Sequence, residues 1–227
     1  MKTQIIYETR GRAKEYSELA ANLYRGCGHC CKYCYAPAAI KMNFDSFCKP
    51  TVRTDVLKKL EKDAIYLNSV GEKRPILLSF TTDPYQPLDE TEGITREAIR
   101  ILHKYGLKVS ILTKGGIRSE RDFDILLKNP DLSEYGTTLV FLDEFERQNI
   151  EQYAASTEER IRILRKAHSL GLFTYVSLEP VFYPEQSLEI IDKTYSFVDM
   201  YKIGKLNHFK EYQNNIERLN DNVNSNY

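Results

Sequence analysis

The 227-residue chain carries no formal net charge, because 32 Lys and Arg residues are balanced by 32 Asp and Glu residues. It therefore lacks the global basic field that collects nucleic acid by long-range attraction. It also lacks any apolar run approaching the roughly 18 residues that a membrane span requires. The segment after Met1 soon becomes polar and has no apolar core of a secretion signal. These absences predict a cytoplasmic protein without a membrane contact.

Internal repeats and long linkers rich in proline, glycine or serine are absent as well. The length suffices for one domain with a substantial core, so we expect residues 1–227 to form a single domain. Residues 1–22 are charged and are expected to extend over a face or edge of the fold. Residues from about 215 to 227 are polar and are expected to form a tail.

The cysteines are few, odd in number and unevenly spread. They are Cys27, Cys30, Cys31, Cys34 and Cys48. A secreted disulfide framework spreads an even number of cysteines along the chain. The close spacing of the first four cysteines therefore favours a reducing compartment and a metal site.

Two ligand registers fit this cluster. Cys27-x2-Cys30 followed by Cys31-x2-Cys34 would give two zinc hooks, as in a zinc-binding interaction module. Zinc hooks normally lie a dozen or more residues apart, and here they abut. In the other register Cys27, Cys31 and Cys34 each hold one iron of a cubane and leave the fourth iron open. An open iron can bind and reduce a substrate directly, so this second register is favoured, with Cys30 as a bystander.

Short apolar runs alternate with amphipathic segments after the cluster. The runs predict strands at residues 75–80, 107–112, 137–142, 173–178 and 197–203, and a further short strand precedes Cys27. Helices are expected near residues 55–67, 95–105, 156–170 and 188–194. The alternation demands parallel strands, which fits both a doubly wound sheet and a (β/α) barrel. In either fold the chemistry lies at the carboxyl ends of the strands.

The C-x3-C-x2-C spacing with Tyr33 before the last cysteine resembles the defining motif of the radical S-adenosylmethionine superfamily. Three blocks resemble its spore photoproduct lyase-like branch, also labelled DNA repair photolyase-like. They are Asn22–Pro37, Thr81–Pro87 and Ser110–Lys114. The resemblance implies an α/β fold, a partial (β/α)6 TIM-like barrel of parallel strands. It also implies two cofactors, a [4Fe–4S] cluster and S-adenosyl-L-methionine.

In this superfamily one electron cleaves the cofactor to a 5′-deoxyadenosyl radical, which abstracts hydrogen from a substrate. The resemblance thus implies a radical enzyme, lyase-like or transferase, served by an electron donor such as flavodoxin or ferredoxin. The resemblance leaves the substrate unidentified: a nucleic-acid base or lesion is one option, and a peptide or small molecule is the other. A barrel that keeps the cluster as a sensor without cleaving the cofactor is a third possibility.

The resemblance also assigns roles to single residues. Polar groups follow the second and third strands, where they could bind the methionyl amine and carboxylate, although a turn cap or a solvated lysine would have the same sequence. The cofactor-binding candidates are Tyr33, Tyr35, Thr81, Thr82, Asp83, Lys114 and Thr138. The substrate-binding candidates are Tyr85, Glu179, Lys205, Asn207 and His208.

The chain departs from the photoproduct lyases at one important position. Those enzymes carry a hydrogen-donating cysteine near the end of the second strand, where this chain has Phe80. Cys48 and Tyr85 are the remaining donor candidates. Repair of thymine dimers is therefore not implied beyond the family name. The cysteines are also too few to ligate a second cubane fully.

Overall fold

The computed structural model describes residues 4–206, in which strands and helices alternate. The strands are β1 Ile6–Glu8, β2 Leu19–Ala21, β3 Tyr24–Arg25, β4 Thr51–Val52, β5 Ile76–Leu78, β6 Val109–Thr113, β7 Ser133–Thr138, β8 Phe173–Val181 and β9 Met200–Lys205. The helices are α1 Arg12–Tyr16, α2 Ala36–Ala39, α3 Phe44–Phe47, α4 Val56–Ser69, α5 Pro87–Glu92, α6 Ile94–Lys104, α7 Phe123–Leu126, α8 Glu144–Ile150, α9 Thr157–Ser169 and α10 Pro184–Thr194. Short 3₁₀ helices span Gly116–Asp122, Pro130–Leu132 and Tyr195–Phe197.

The main sheet has the strand order β1-β2-β5-β6-β7-β8-β9. Every neighbouring pair from β2 to β9 is parallel, and only β1 runs antiparallel, on β2. The parallel strands follow each other in sequence order without the reversal that defines a doubly wound sheet. The order is that of a barrel, opened here between β1 and β9. The predicted partial barrel of six parallel strands is therefore confirmed.

The helices form where an apolar face at helical spacing meets a good N-terminal cap. In α4 the buried positions Val56, Leu60, Ala64 and Leu67 recur at three- and four-residue intervals and face the sheet. At the start of α9 the Ser156 hydroxyl accepts the backbone N–H of Glu159 at 3.1 Å. Packing of such faces against the short buried strands gives the main hydrophobic core.

Two strands are displaced from their predicted positions. The apolar run expected at residues 137–142 lies mostly beyond β7, where Leu139, Val140 and Phe141 pack in the connection to α8. The strand itself begins at the polar residues Ser133 and Glu134, and the Glu134 carboxylate pairs with Lys108, just before β6, at 2.7 Å. Likewise β9 starts at Met200, since residues 195–197 form a 3₁₀ helix.

The N-terminal segment belongs to the sheet and does not merely cover it. Residues 4–21 supply β1 at the edge and β2, the first parallel strand. The buried Asp63 carboxylate of α4 holds the start of β1, accepting backbone N–H groups of Gln4 at 2.8 Å, Ile5 at 2.6 Å and Ile6 at 2.9 Å. The candidates Asn207 and His208 and the polar tail lie outside the described residues.

Among residues 4–206 there is no helix with the length and apolar character needed to cross a bilayer.

The anchor at Asp63 predicts a large effect of Asp63→Ala on stability. The substitution removes the carboxylate and leaves the buried backbone N–H groups of Ile5 and Ile6 without their acceptor. We therefore expect the free energy of unfolding to fall by about 2–4 kcal/mol. Urea unfolding followed by circular dichroism measures this change. Lys62→Ala, on the exposed side of the same helix, is the control and should shift the free energy by less than about 0.5 kcal/mol. An equal effect of both substitutions would contradict the role of Asp63.

Candidate iron-sulfur and cofactor site

The cysteine loop leaves β3 at the carboxyl end of the parallel strands. Gly26 opens it with a φ of 85°, a left-handed conformation that favours glycine, and an added Cβ would lie 2.4 Å from the carbonyl oxygen of Phe47. Cys27 follows and donates its backbone N–H to that carbonyl at 2.9 Å. Cys27 and Cys31 are buried and Cys34 is half-buried. The loop is thus held against α3 by its own backbone.

The turn after β5 holds the same loop from the other side. The Thr82 hydroxyl donates to the carbonyl of Gly26 at 2.8 Å and accepts from Gln86 Nε2 at 3.0 Å. Gln86 Oε1 accepts the backbone N–H of Gly28 at 2.8 Å. Both side chains are buried, so these bonds tie the strand-end turn to the loop that carries the cysteines.

Asp83 connects three parts of the site. Its Oδ1 accepts the Thr113 hydroxyl at 2.6 Å and the Tyr85 backbone N–H at 2.8 Å. Its Oδ2 accepts the Lys114 backbone N–H at 2.7 Å and lies 3.3 Å from Nδ1 of His29, between Cys27 and Cys30. Each oxygen therefore already has two donors, which fills the acceptor positions of the carboxylate. In this arrangement the Asp83 carboxylate holds the protein's own cysteine loop in place.

The electrostatics of Asp83 follow from these partners. Burial opposes its ionisation, but the His29 imidazole and the donated bonds outweigh burial and hold the pKa of Asp83 below its usual range. On the far side of the imidazole, Nε2 of His29 lies 2.9 Å from the Arg118 guanidinium. Because a guanidinium only donates, Nε2 accepts this bond and the proton lies on Nδ1, facing Asp83.

The three motif cysteines fit an iron cluster by their chemistry. Burial raises the pKa of the thiols of Cys27, Cys31 and Cys34, so thiolates there require a strong cationic partner. The Lys114 ammonium supplies part of the positive charge near Cys31 and Cys34. Iron ions of a cluster would supply the rest, since a coordinating metal deprotonates its thiol ligands. The donor set and its burial therefore suit a cubane held by three thiolates.

Cys30 differs from these three cysteines in its backbone conformation and in its contact with Cys48. It adopts a left-handed backbone conformation with a φ of 50°, and its thiol contacts Cys48, whose carbonyl oxygen lies 3.9 Å away. Within residues 4–206, no three His, Cys, Asp or Glu side chains are gathered closely enough to hold a single metal ion. This finding does not distinguish the two ligand registers, so the register of Cys27, Cys31 and Cys34 stays a prediction.

Lys114, at the end of β6, lies in a buried charge network beside the loop. Its Nζ is 5.6 Å from the ring centroid of Tyr33, a cation–π distance. The Tyr33 hydroxyl donates to the Glu151 carboxylate, which also accepts Arg160 at 2.6 Å. Burial alone would lower the pKa of Lys114, but the charges of Cys31 and Glu151 raise it, so the ammonium stays protonated.

The other cofactor candidates surround the same strand ends. The Tyr35 hydroxyl donates to the carbonyl of Phe80 at 3.2 Å, which places this ring against the end of β5. Thr81 is half-buried, and its backbone N–H donates to Asn22 Oδ1 at 2.9 Å. Thr138 is buried at the end of β7, where its carbonyl accepts Arg160 at 2.7 Å. Thr81 and Thr138 therefore lie at the ends of β5 and β7, which flank β6 in the sheet.

Glu179 lies inside the barrel near the end of β8, with Ser177 donating to its carboxylate at 3.3 Å. Burial raises the pKa of Glu179 and lowers that of Lys202, and each charge acts on the other. The Lys202 ammonium lies 3.9 Å from the ring centroid of Tyr16 and donates to its carbonyl at 2.8 Å. A Cβ at Gly204 would lie 2.2 Å from Glu179 Oε1, so glycine makes room for this carboxylate.

Two of the predicted substrate-binding residues, Tyr85 and Lys205, do not point into the barrel beside Glu179. Tyr85 is 1% exposed and packs in the hydrophobic core, so its ring does not line an open pocket. The cause is the turn after β5, which directs Thr82 and Asp83 to the loop and the Tyr85 ring inward. Lys205 is exposed at the end of β9, whereas Lys202 on the same strand points into the barrel.

Sequence reasoning missed several contributors. Glu151 and Arg160 form a fully buried ion pair next to the cluster loop, although no motif marks either residue. Lys202 and Tyr16 also went unrecognised. Gln86 lies inside the quoted Thr81–Pro87 block, and its position four residues after Thr82 was the available signal.

A barrel of this order, with three cysteines on one loop beside a strand-end lysine, suits an enzyme that holds an iron-sulfur cluster at its mouth. Residues 21–198 match the family model of the Radical SAM superfamily. This match covers well over half of the chain, and the protein belongs to the radical SAM superfamily. The family uses a [4Fe–4S] cluster and S-adenosylmethionine, so the chain is a radical S-adenosylmethionine enzyme whose reaction is unspecified.

Among curated proteins, an uncharacterized protein of Methanocaldococcus jannaschii is 29% identical over 198 residues, covering 84% of this chain and 73% of that protein. An uncharacterized protein of Mycobacterium bovis is 26% identical over 167 residues, covering 70% of this chain and 48% of that protein. Neither name carries a function.

Among solved structures, a spore photoproduct lyase variant with bound AdoMet and dinucleoside spore photoproduct superposes with a TM-score of 0.70 at 18% identity. The match covers 90% of this chain and 61% of the lyase. Streptococcus suis SuiB bound to S-adenosylmethionine gives a TM-score of 0.65 at 13% identity, covering 91% of this chain and 47% of SuiB. At these identities the likeness establishes the fold. The chain spans about 61% of that lyase's length.

The ligand register predicts a distinct pattern among four variants. After anaerobic reconstitution with iron and sulfide, Cys27→Ala, Cys31→Ala and Cys34→Ala should each lose the cluster, because each removes one of three thiolates. Cys30→Ala should retain it. Iron content and visible absorbance measure the outcome. Loss of iron in Cys30→Ala with retention in Cys31→Ala would show that the register is wrong.

Proposed function

We propose that the chain reductively cleaves S-adenosylmethionine and uses the resulting radical to abstract hydrogen from a nucleic-acid base or lesion. The observation that carries the cleavage is the set of three thiols on one loop, two buried and one half-buried, with the Lys114 ammonium acting on two of them. When bound there, the cluster and cofactor would supply the electron transfer and the 5′-deoxyadenosyl radical. A low-potential electron donor such as flavodoxin or ferredoxin would serve the site, and the cytoplasm is its expected compartment.

The chain's own residues would hold and orient the cofactor. Lys114 stays protonated between Cys31 and Glu151, so its ammonium suits a carboxylate such as that of the methionyl group. Tyr33 and Tyr35 flank Cys34, and Thr81 and Thr138 lie at the ends of β5 and β7 on either side of β6, so these four are proposed as further contacts. Thr82 and Asp83 would act by positioning the loop, because their polar atoms are already bonded to it.

The substrate would be held inside the barrel by groups of opposite charge. Glu179 and Lys202 are both half-buried on neighbouring strands, and burial disfavours the charged form of each. Such groups exchange hydrogen bonds with a neutral polar ligand such as a base edge. Lys205, exposed at the rim, and the region of Asn207 and His208 are proposed as further substrate contacts.

The nucleic-acid class is supported by likeness of fold, which is an analogy. The lyase structures named above were solved with a dinucleoside spore photoproduct, and this concerns those proteins. Phe80 stands where the lyases carry their hydrogen-donating cysteine, so the same repair reaction is not proposed. A peptide or small-molecule substrate is the alternative, as is a cluster that binds the cofactor without cleaving it.

The cleavage step is tested by assaying 5′-deoxyadenosine after adding dithionite and S-adenosylmethionine to the anaerobically reconstituted protein. We expect the nucleoside to appear and to be absent with Cys27→Ala, because that variant lacks a thiolate of the cluster. Cys30→Ala is the matched control and should retain production. A fully loaded cluster that binds the cofactor and yields no 5′-deoxyadenosine would favour the sensor alternative.

A further inference from the structure

A basic groove lies beside the cysteine loop, on the outer side of the β3–β4 hairpin. It has a volume of about 820 Å³. Its cations are Arg25 on β3, Arg53 just after β4 and Lys59 on α4. The rest of its lining is Gln4, Ile5, Ile40, Thr51, Val52 and Thr54. No acidic residue lines the groove within the described part of the chain, although the chain as a whole is neutral.

The cations of the groove are available to a ligand. Six arginines of the described residues pair with carboxylates, namely Arg74, Arg96, Arg100, Arg121, Arg147 and Arg160. By contrast, across residues 4–206 neither groove arginine nor Lys59 has a carboxylate at ion-pair distance. Two of the cations make single bonds to nearby carbonyls, and Arg25 makes none.

Those two bonds orient their side chains. Arg53 Nε donates to the carbonyl of Tyr24 at 3.2 Å, which leaves its terminal nitrogens for a ligand. Lys59 Nζ donates to the carbonyl of Thr54 at 2.8 Å and keeps two further protons. The nearest buried acid of the region, Asp63, is occupied by the backbone N–H groups of Gln4 and Ile5. The groove therefore presents positive charge without an internal counterion.

The position of the groove relates it to the site. The register Ile6↔Ala21 places Gln4 and Ile5 at the carboxyl end of β2, the edge where the barrel opens. Arg25 stands two residues before the ligand Cys27 and pairs with Thr51 across the hairpin. A polymer lying in the groove would thus pass along the rim of the barrel mouth.

The residues that line the groove suit a polyanion better than a free phosphate ion. A site for a small anion converges backbone N–H groups on one point, as at a helix N-terminus or a nest. Here the cations come from three separate elements, and the apolar residues Ile5, Ile40 and Val52 line the same groove. No aromatic residue lines it, so bases have no stacking platform there, and contact would be restricted to the backbone.

We infer that this groove binds the phosphodiester backbone of a nucleic-acid strand and so delivers the strand to the barrel mouth. The inference rests on the proposed nucleic-acid substrate and adds the surface that holds it outside the radical site. Because phosphate contacts carry no sequence information, binding should be independent of sequence and should weaken with salt.

Fluorescence anisotropy of labelled oligothymidylate and oligoadenylate with the reconstituted full chain tests this inference. Arg25→Gln is the decisive variant, because Arg25 has no internal partner whose loss could unfold the protein. It should weaken binding about three- to tenfold at about 0.1 M salt and lower the salt slope by about 0.7. The double variant Arg25→Gln/Lys59→Gln should weaken binding further. Lys58→Gln and Lys62→Gln, on exposed positions of α4 outside the groove, are controls expected to change affinity less than about twofold.

Three results would overturn the inference. They are absence of binding at low salt, equal loss in Arg25→Gln and Lys58→Gln, and displacement of the strand by inorganic phosphate at millimolar concentration. The last would show a small-anion site. Production of 5′-deoxyadenosine, measured on the same preparation, separates the two proposals: cleavage without strand binding refutes only the groove. Strand binding without cleavage refutes only the proposed reaction.

Discussion

The bond between Asp83 and His29 is the contact on which the rest of the site depends. It joins the turn after β5 to the cysteine loop, while the other bonds of the same carboxylate reach Thr113 and the Lys114 backbone on β6. One buried anion thereby fixes the loop relative to two strand ends. Without it, burial of the cysteines and the placement of Lys114 beside them would have no common support. Thr82 and Gln86 reinforce this attachment on the adjacent part of the loop.

Burial governs the chemistry that this framework allows. Thiols shielded from water resist ionisation, so the site favours thiolates only when cations accompany them. Lys114 provides one such charge, and Glu151 with Arg160 keeps that lysine in a balanced, fully buried environment. A buried ion pair contributes little net stability, because desolvation offsets the attraction. Its effect here is to orient Tyr33 and Lys114 beside the loop.

Much of this architecture follows from the sequence, because strand burial and cysteine spacing are local signals. The run Ile76–Phe80 and the cap at Ser156 predicted a strand and a helix start correctly. Long-range polar pairing is not local: Glu151 reaches Tyr33 across more than a hundred residues, and no pattern in the sequence reports such a contact. The sequence identified Asp83 as a site residue, but it did not show where the carboxylate points, since a strand-end carboxylate can face a cofactor or its own loop.

The same limit explains the misplaced strand at residues 137–142. Leu139 to Phe141 are apolar because they are buried, and burial in a connection has the same composition as burial in a strand. Tyr85 shows a related error: it was predicted to bind the substrate, but its ring packs in the core. Side-chain direction depends on the tertiary turn, which only the three-dimensional structure reveals.

The most direct test of this account is the effect of Asp83→Asn on the cluster and on the cofactor, measured separately. We expect lower iron retention and faster cluster loss, because the amide keeps the shape of the carboxylate but lacks the charge that holds His29. Asp124→Asn, at an exposed carboxylate, should leave the cluster unchanged. Full iron retention with a selective loss of S-adenosylmethionine binding would contradict the account and return Asp83 to the role of a direct cofactor ligand.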